Sequence, residues 1–232
     1  MIVIVDYEMG NLRSVQKAFE RIGRAAEVSD KPEVVAKAER LVVPGVGAFG
    51  DAMAALRKRG LVEPIREFSA RGRPMLGICL GLQVFFEESE EVATGAAGDE
   101  CCGTCGGVAQ ATACVGPAPV EKGLGLVKGR VVKFSPQVTA AGLKVPHMGW
   151  NQVVAARPTP LLAGMPEEGV YFYFAHSYYA SPADDAVVAG RTDYGGRFAS
   201  AIASGNIYAT QFHPEKSQAV GLALLENFVT RT

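Results

Sequence analysis

The sequence predicts an α/β fold in which a largely parallel β-sheet is extended by antiparallel strands. In the first half of the 232-residue chain, apolar β-branched runs alternate with amphipathic helical patterns, as in parallel sheets covered by helices on both faces. In the second half, strand-like runs follow one another across short turns, which favours antiparallel additions to the same sheet. No linker or internal repeat separates the halves, so we expect a single domain over residues 1–232.

Strands and helices alternate through the first half. The run "IVIV" at residues 2–5 predicts a buried strand, and Asn11 is placed to cap a helix with Leu12 and Phe19 on its apolar face. The pattern repeats as a strand at "AAEVS", a helix from Pro32, a strand at "RLVVPG" and helices in "DAMAALRKRG" and "VEPIREFSARG". A strand at "PMLGICLG" follows, and we expect a helix through "LQVFFEE".

Strand-like runs dominate the second half. They are "GRVVKF", "HMGWNQVV", "GVYFYFAHSYYA", "AVVAGRT" and "FASAIASGNIYATQF". The chain closes on "AVGLALLENFV", where Val220, Leu224 and Phe228 share the face of a helix that is expected to pack on the sheet. Residues 93–117 are mostly Gly, Ala, Cys and Thr, which is typical of a surface insertion.

Charge and composition exclude several classes of function. The formal net charge is -1, and no Lys or Arg run forms the basic surface that nucleic acids or anionic membranes require. The N-terminus lacks a leader pattern and no apolar run is long enough to span a bilayer, so we expect a cytoplasmic protein. Four of the five cysteines fall between Cys101 and Cys114, unlike a secreted disulfide framework.

The stretch "GICLG" places Cys79 where a buried strand is expected to turn sharply into a helix. Glycines on either side give it the form of a nucleophile elbow, and the amides at the helix start favour a thiolate. The alternative is an ordinary buried cysteine, because free cysteine is among the most buried residue types.

A thiol nucleophile needs a base, and the chain has three histidines, His147, His176 and His213. His213 follows the apolar run "IYATQF", Pro214 stops the strand, and Glu215 can point the same way in an extended backbone. The pattern therefore predicts a triad of Cys79, His213 and Glu215. Alone, His-Pro-Glu would be a solvated turn.

A second glycine-rich turn, "PGVGAFG", also follows an apolar strand. Its exposed amides, near Val46 and Gly47, could hold an oxyanion or a substrate, and the alternative is a plain turn before a helix.

With "PGVGAFG", "GICLGLQ" and "QFHPEKS" in this order, the chain resembles the class I, triad-type glutamine amidotransferases. The segments "DYEMGNLRSV", "VPHMGWNQV" and "YFYFAHSYYA" make it similar to the glutaminase subunits of imidazole glycerol phosphate synthase. The resemblance covers nearly the whole chain except residues 93–117. It implies a three-layer, flavodoxin-like fold and no cofactor.

The resemblance also implies an activity, the hydrolysis of L-glutamine to glutamate and ammonia. Cys79 would attack the carboxamide, His213 would relay protons and Glu215 would hold His213. The oxyanion would meet the N–H of Leu80 and the loop around Val46 and Gly47. The implied glutamine pocket consists of Gln83, Glu91, Ser177 and Tyr178.

The implied partner is a (β/α)8-barrel cyclase subunit, which uses the ammonia to convert PRFAR to imidazole glycerol phosphate and AICAR in histidine biosynthesis. The resemblance places the interface at Asn11, Trp150, Tyr173 and Lys216. Two other functions are open: the glutaminase subunit of another synthase, such as pyridoxal phosphate synthase, and a catalytically silent α/β scaffold.

The insertion departs from the family pattern. Cys102 and Cys105 have C-x-x-C spacing, and Cys101 and Cys114 could add ligands, but a structural zinc site usually shows two well-spaced pairs. We therefore predict a loop without bound metal.

Overall fold

The computed structural model describes residues 1–93 and 120–232. Except for Ala93, the predicted insertion and its four cysteines lie outside the described residues. The first elements in chain order are β1 (Ile2–Val5), α1 (Leu12–Arg21), β2 (Ala26–Ser29), α2 (Pro32–Lys37), β3 (Arg40–Gly45), α3 (Phe49–Lys58), α4 (Val62–Ala70), β4 (Met75–Cys79) and α5 (Leu80–Val84). Asn11 is the residue before α1, as predicted, but its side chain makes no capping hydrogen bond.

Strands are the commonest of the remaining elements in the described chain. They and two further helices are β5 (Phe86–Ser89), β6 (Glu121–Lys122), β7 (Val127–Lys133), α6 (Pro136–Ala140), β8 (His147–Ala155), β9 (Val170–His176), β10 (Tyr178–Pro182), β11 (Val188–Asp193), β12 (Arg197–Ser204), β13 (Ile207–Thr210) and α7 (Gln218–Thr230). Short 3-10 helices cover Asp185–Val187 and Pro214–Lys216.

The main sheet has nine strands among the described residues, in the order β2-β1-β3-β4-β13-β12-β11-β8-β9. Its first five strands run parallel, and the later ones join them antiparallel. The predicted antiparallel additions to a parallel sheet are therefore confirmed. Because β4 and β13 are adjacent and parallel, the ends that lead to Cys79 and His213 lie at one edge of the sheet.

Helices cover both faces of this sheet, which explains the near-continuous apolar strands. Along β1, Val3 and Val5 face one hydrophobic cluster, shared with α2, α3 and α4, whereas Ile2 and Ile4 face the other, shared with α1 and α7. All four β1 side chains are at most 6% exposed. The alternating side chains of a strand therefore bury both faces in a three-layer arrangement.

The strand pairing of the described residues corrects three expectations. Four strands pair in the order β10-β7-β5-β6, apart from the main sheet, so the later strands do not all extend one sheet. The predicted helix through "LQVFFEE" was wrong beyond Val84, because Phe86 pairs with Val127 in a parallel ladder and is buried. The predicted strand "GVYFYFAHSYYA" divides at Ser177 into β9 and β10, which belong to different sheets.

Within residues 1–93 and 120–232, no helix has both the length and the apolar character needed to cross a membrane. The assignment of the whole chain to a single domain stays a prediction.

Candidate active site

Cys79 occupies a strained turn between β4 and α5. Its φ and ψ are 55° and -105°, and positive φ is uncommon for a residue with a side chain. The flanking glycines are required by close contacts: a Cβ on Gly81 would lie 1.7 Å from the Val43 carbonyl oxygen, and one on Gly77 would lie 2.7 Å from the Gly81 oxygen. The backbone of β3 thus presses directly on the turn that presents the thiol.

The thiol opens into a cavity of about 250 Å³, and His213 lines the same cavity. Cys79 itself is only 5% exposed. The cavity is also lined by every residue predicted for the glutamine pocket or oxyanion loop, namely Val46, Gly47, Leu80, Gln83, Glu91, Ser177 and Tyr178. Its volume lies just below the range of about 300–1,000 Å³ typical of sites for drug-sized ligands, which suits a smaller molecule.

His213 and Glu215 form a buried pair at the end of β13. His213 Nδ1 lies 2.8 Å from Glu215 Oε1, and their side chains are 3% and 1% exposed. Glu215 can only accept hydrogen bonds when ionised, so Nδ1 carries the proton and Nε2 is the atom left for the cavity. The second carboxylate oxygen, Oε2, is buried without a hydrogen-bond partner in the described structure.

The backbone around His213 is clamped to β9. The N–H of His213 donates to the Tyr173 carbonyl at 2.9 Å, and the Ser217 hydroxyl donates to the His213 carbonyl at 2.6 Å. The same hydroxyl accepts the Tyr173 N–H at 3.0 Å. A Cβ on Gly221 would lie 1.9 Å from the Pro214 oxygen, so α7 packs directly against this loop.

Burial and charge act against each other on His213. Desolvation lowers its pKa, but the Cys79 thiolate and the Glu215 carboxylate outweigh it and raise the pKa of His213 to about 10. The histidine is therefore protonated at neutral pH and can pair with a thiolate. A protonated imidazole beside the sulfur is placed to give its proton to a leaving group.

The "PGVG" loop is supported from below by Tyr7. The Tyr7 hydroxyl donates to the Pro44 carbonyl at 2.6 Å, and a Cβ on Gly45 would lie 2.3 Å from that hydroxyl. Burial, followed by the nearby Cys79, raises the pKa of Tyr7, so the phenol stays a donor. Beyond this support, Val46 is 41% exposed and Gly47 has a φ of 104°.

Two pocket residues have defined partners. Gln83 is 4% exposed and its Nε2 donates to the Tyr178 carbonyl at 2.9 Å. Glu91 Oε2 accepts the Phe49 N–H at 2.9 Å. Burial raises the pKa of Glu91, and the hydrogen bond from Phe49 opposes this shift. The cavity wall therefore carries an amide and a carboxylate at fixed positions.

Sequence reasoning gave no role to His147 and His176, which form a second buried pair. His147 Nδ1 lies 2.9 Å from His176 Nε2, and His176 Nδ1 lies 2.8 Å from the Tyr178 carbonyl. Desolvation lowers the pKa of His147 to about 4 and that of His176 to about 3, so both are neutral. Phe134, Phe174 and other rings surround the pair. Nowhere in the described ranges could a group of three or more His, Cys, Asp or Glu hold a metal ion.

Gln211 was also missed. It is fully buried, and its Nε2 lies 3.7 Å from Cys79 Sγ. Its Oε1 lies 3.3 Å from Gln83 Nε2. The only signal in the sequence is a polar residue at the end of the buried run "IYATQF", two positions before His213.

Three of the four predicted interface residues lie together beside the cavity. Trp150 is 47% exposed, its ring centroid is 6.2 Å from that of Tyr173, and Lys216 Nζ lies 5.7 Å from the Tyr173 ring. Met148, which lines the cavity, is 64% exposed on the same strand as Trp150. Asn11 is exposed at the start of α1, a helix whose Ser14 and Lys17 share a hollow with Lys216.

Comparison with known sequences identifies one matching family and similar proteins that share one name. The profile of the family described as glutamine amidotransferase class-I matches residues 3–232. A protein of Syntrophotalea carbinolica named imidazole glycerol phosphate synthase subunit HisH is 50% identical, over 98% of this chain and 98% of its own. A protein of the same name from Methanothermobacter thermautotrophicus is 48% identical, over 99% of this chain and 98% of its own.

Solved structures share the fold at much lower identity. The crystal structure of a glutamine amidotransferase has a TM-score of 0.67 at 19% identity and covers 99% of this chain and 100% of that one. A chain of PurLQS from Thermotoga maritima has a TM-score of 0.68 at 19% identity and covers 99% of this chain and 97% of that one. These two likenesses concern the fold alone.

Proposed function

Because the chain belongs to the class I glutamine amidotransferase family, we propose that it is the glutaminase subunit of an imidazole glycerol phosphate synthase. It is an enzyme that hydrolyses L-glutamine and serves histidine biosynthesis. Relatives of 48–50% identity over nearly the full chain carry the same subunit name, which supports this pathway over the pyridoxal phosphate alternative. The cytoplasmic location stays a prediction.

In the proposed acylation step, the Cys79 thiolate attacks the carboxamide carbon of glutamine. The carbonyl electron pair moves onto oxygen, giving a tetrahedral oxyanion. His213 then donates its Nε2 proton to the amide nitrogen as the C–N bond breaks, so ammonia leaves and a γ-glutamyl thioester remains. The raised pKa of His213 suits this role, because the proton is present at neutral pH before the attack.

In the proposed deacylation step, neutral His213 removes a proton from water, which attacks the thioester carbon. The second tetrahedral oxyanion collapses and the C–S bond breaks, which regenerates the Cys79 thiolate beside protonated His213 and releases glutamate, whose new carboxyl group gives its proton to water. Both oxyanions need donors, for which we propose the N–H of Leu80, at the first turn of α5, and those of the loop at Val46 and Gly47. Glu215 holds the imidazole in the tautomer that both steps use.

For the glutamine pocket, we propose Gln83, Glu91, Ser177 and Tyr178. The support is that all four line the cavity that contains Cys79. The Glu91 carboxylate suits the α-amino group of glutamine, and the side-chain oxygen of Gln83 is available because its nitrogen is already engaged by Tyr178. Such a wall would select an α-amino acid over a simple amide.

We further propose that the partner is the (β/α)8-barrel cyclase subunit, docked on the surface that includes Asn11, Trp150, Tyr173 and Lys216. Support comes from the large apolar side chains that remain exposed on β8 and β9, the strands that lead to the cavity: Met148 at 64%, Trp150 at 47% and Tyr171 at 57%. Aromatic and Met side chains are enriched at interface cores. A partner there would cover the route by which ammonia leaves the cavity.

The observation that carries the proposed function is a thiol on a strained elbow that shares one small cavity with a buried His–Glu pair. The test is glutamate release measured with and without the cyclase subunit and its ribonucleotide ligand. We expect turnover to rise when both are added and to disappear in Cys79→Ala. If the cyclase and its ligand gave no stimulation, the pathway assignment would be wrong. If Cys79→Ala kept its turnover, the nucleophile would be wrong.

A further inference from the structure

Gln211 is a fully buried polar side chain in direct contact with the reacting sulfur. Its backbone is fixed immediately after β13, because its N–H donates to the Ser200 carbonyl of β12 at 2.8 Å. The side chain therefore leaves the main sheet at the edge where Cys79 and His213 emerge. The triad, oxyanion loop and pocket proposed for the reaction do not include this amide.

Hydrogen-bond partners determine which end of the Gln211 amide faces the sulfur. Gln83 Nε2 lies 2.9 Å from the Tyr178 carbonyl, which can only accept, so this atom is the donor nitrogen. The same nitrogen lies 3.3 Å from Gln211 Oε1, the atom that must then be the acceptor. The nitrogen of Gln211 is left facing Cys79 Sγ at 3.7 Å. Rotating the amide by half a turn would oppose two NH2 groups and direct an oxygen at the sulfur.

The far end of this chain of contacts is also fixed. The Tyr178 carbonyl that orients Gln83 accepts a second hydrogen bond from His176 Nδ1 at 2.8 Å. His176 in turn accepts from His147 Nδ1 at 2.9 Å, and His147 Nε2 lies 3.2 Å from Asn151 Nδ2. Each atom in this series has one consistent role as donor or acceptor. The amide at the sulfur is thus held by a network that continues to β8.

We propose that Gln211 is a further catalytic residue, whose Nε2–H hydrogen-bonds the Cys79 sulfur and stabilises it as a thiolate. This proposal rests on the proposed function and deepens it. The donor acts twice: it favours the thiolate before attack on the carboxamide, and it stabilises the sulfur again when the C–S bond of the thioester breaks. Hydrogen bonds to charged groups are stronger than those between neutral groups.

The test is the pH dependence of Cys79 alkylation by iodoacetamide in the full-length chain, which needs neither glutamine nor the cyclase. Mass spectrometry of the peptide that contains Cys79 separates its reaction from those of the four cysteines at positions 101, 102, 105 and 114. In Gln211→Met the donor is lost at similar length, and we expect the midpoint of the pH profile to rise by about one unit, or about tenfold in the ionisation constant. In Gln211→Glu a carboxylate replaces the donor at nearly the same shape, and we expect a larger rise.

Gln152→Glu is the matched control, because Gln152, on β8, donates its side-chain amide to the Glu168 carbonyl and does not line the cavity. Its midpoint is expected to equal that of the wild type. The proposal is overturned if Gln211→Met and Gln211→Glu keep the wild-type midpoint, or if the Glu variant shifts no more than the Met variant. If the Met variant does not fold, Gln211→Leu, which also removes the donor without adding a charge, takes its place in the comparison. Failure here would leave the glutaminase assignment, which turnover tests, intact.

Discussion

At the scale of single residues, His213 carries the clearest electrostatic signature. Desolvation alone would lower its pKa, yet the thiolate and the carboxylate on either side raise it to about 10. Because a raised pKa means that the folded state binds the proton more tightly, the interaction stabilises the fold below the ordinary pKa of 6.5 and is lost as pH rises through about 10. In the proposed mechanism, the proton needed for ammonia release is thus on His213 before the attack.

Replacing the Glu215 carboxylate should measurably weaken the hold of His213 on its proton. In Glu215→Gln, the neutral amide no longer stabilises the imidazolium, so the pKa of His213 falls and the alkaline limb of the glutaminase pH profile moves to lower pH. We also expect turnover to drop by about 10⁴-fold, as when the acid of a serine triad is removed. The measurement is glutamate release against pH with the partner and its ligand present.

Ser69→Ala is the control for Glu215→Gln, since Ser69 lies on α4 and does not line the cavity. It should leave the pH profile unchanged. An unchanged alkaline limb in Glu215→Gln would mean that the carboxylate does not support the charge on His213.

The sharp turn at Cys79 and the contact between His213 and Glu215 were predictable because the residues that produce them are local in sequence. Glycines on either side of Cys79 indicate a turn that only small residues allow, and Pro214 marks the strand end that frees His213. Gln211 could not be assigned in the same way. Its role depends on Gln83, which is 128 positions away in the chain, and no local pattern reports that contact.

At the scale of elements, the elbow depends on how closely β3 approaches α5. The space for a side chain at Gly81 is already occupied by the Val43 carbonyl, 1.7 Å from where a Cβ would stand. The strand and the turn therefore fit together only because residue 81 is a glycine and has no side chain. The strained backbone of Cys79 persists because this packing holds it.

Gly81→Ala should therefore force β3 and α5 apart. We expect the free energy of unfolding to fall by about 1–3 kcal/mol, the usual cost of overpacking, and glutamine turnover to fall with it. Urea unfolding measures the first effect and glutamate release the second. In the control Gly10→Ala, the new Cβ would meet Leu12 at an ordinary 3.5 Å. A Gly81→Ala protein as stable as this control would contradict the packing.

The exposed Trp150 on β8 is expected to contribute to binding of the cyclase. Trp150→Ala removes a large exposed anchor, so affinity for the cyclase should weaken by about 2 kcal/mol, or about 30-fold, while the free energy of unfolding changes little. Titration calorimetry measures the affinity. Val120, which is also 47% exposed but lies outside this strand pair, offers Val120→Ala as a control. Equal affinities for the two variants would remove Trp150 from the interface.

Element types were predictable where periodicity was long and failed where tertiary contacts decided. The helices from Leu12 and Pro32 and the strands of the parallel half followed from their patterns. The segment after Val84 did not, because Phe86 looks apolar in either a helix or a strand. Its pairing with Val127, 41 residues later in numbering, makes it a strand.

At the scale of the whole molecule, the neutral histidine pair makes stability depend on pH. His147 and His176 have pKa values of about 4 and about 3, below the ordinary 6.5. As pH falls below 6.5, the unfolded chain takes up protons that the folded chain does not, so stability decreases. The free energy of unfolding falls most steeply with pH between the ordinary pKa of 6.5 and the folded-state values.

His176→Gln keeps a donor for the Tyr178 carbonyl and an acceptor for His147 but cannot titrate. Between pH 6.5 and 5, its free energy of unfolding should fall by about 1–2 kcal/mol less than that of the wild type, since one proton uptake is removed. Urea unfolding at several pH values gives the slope of the unfolding free energy against pH for each protein. The difference between the two slopes removes the contribution of the other titrating groups, which both proteins share. Parallel slopes would show that His176 is already charged in the folded protein.

The two sheets meet at Ser177, the single residue between β9 in the main sheet and β10 in the smaller one. Cys79 ends a strand of the main sheet, whereas Tyr178, which lines the same cavity, begins a strand of the other. A chain whose small sheet had come away would keep its elbow and its thiol but would have no surface that recognises an amino acid. If Tyr178 belongs to the glutamine pocket as proposed, glutamine recognition is therefore a property of the completed fold, and a partly folded chain would carry a reactive sulfur without amidase activity.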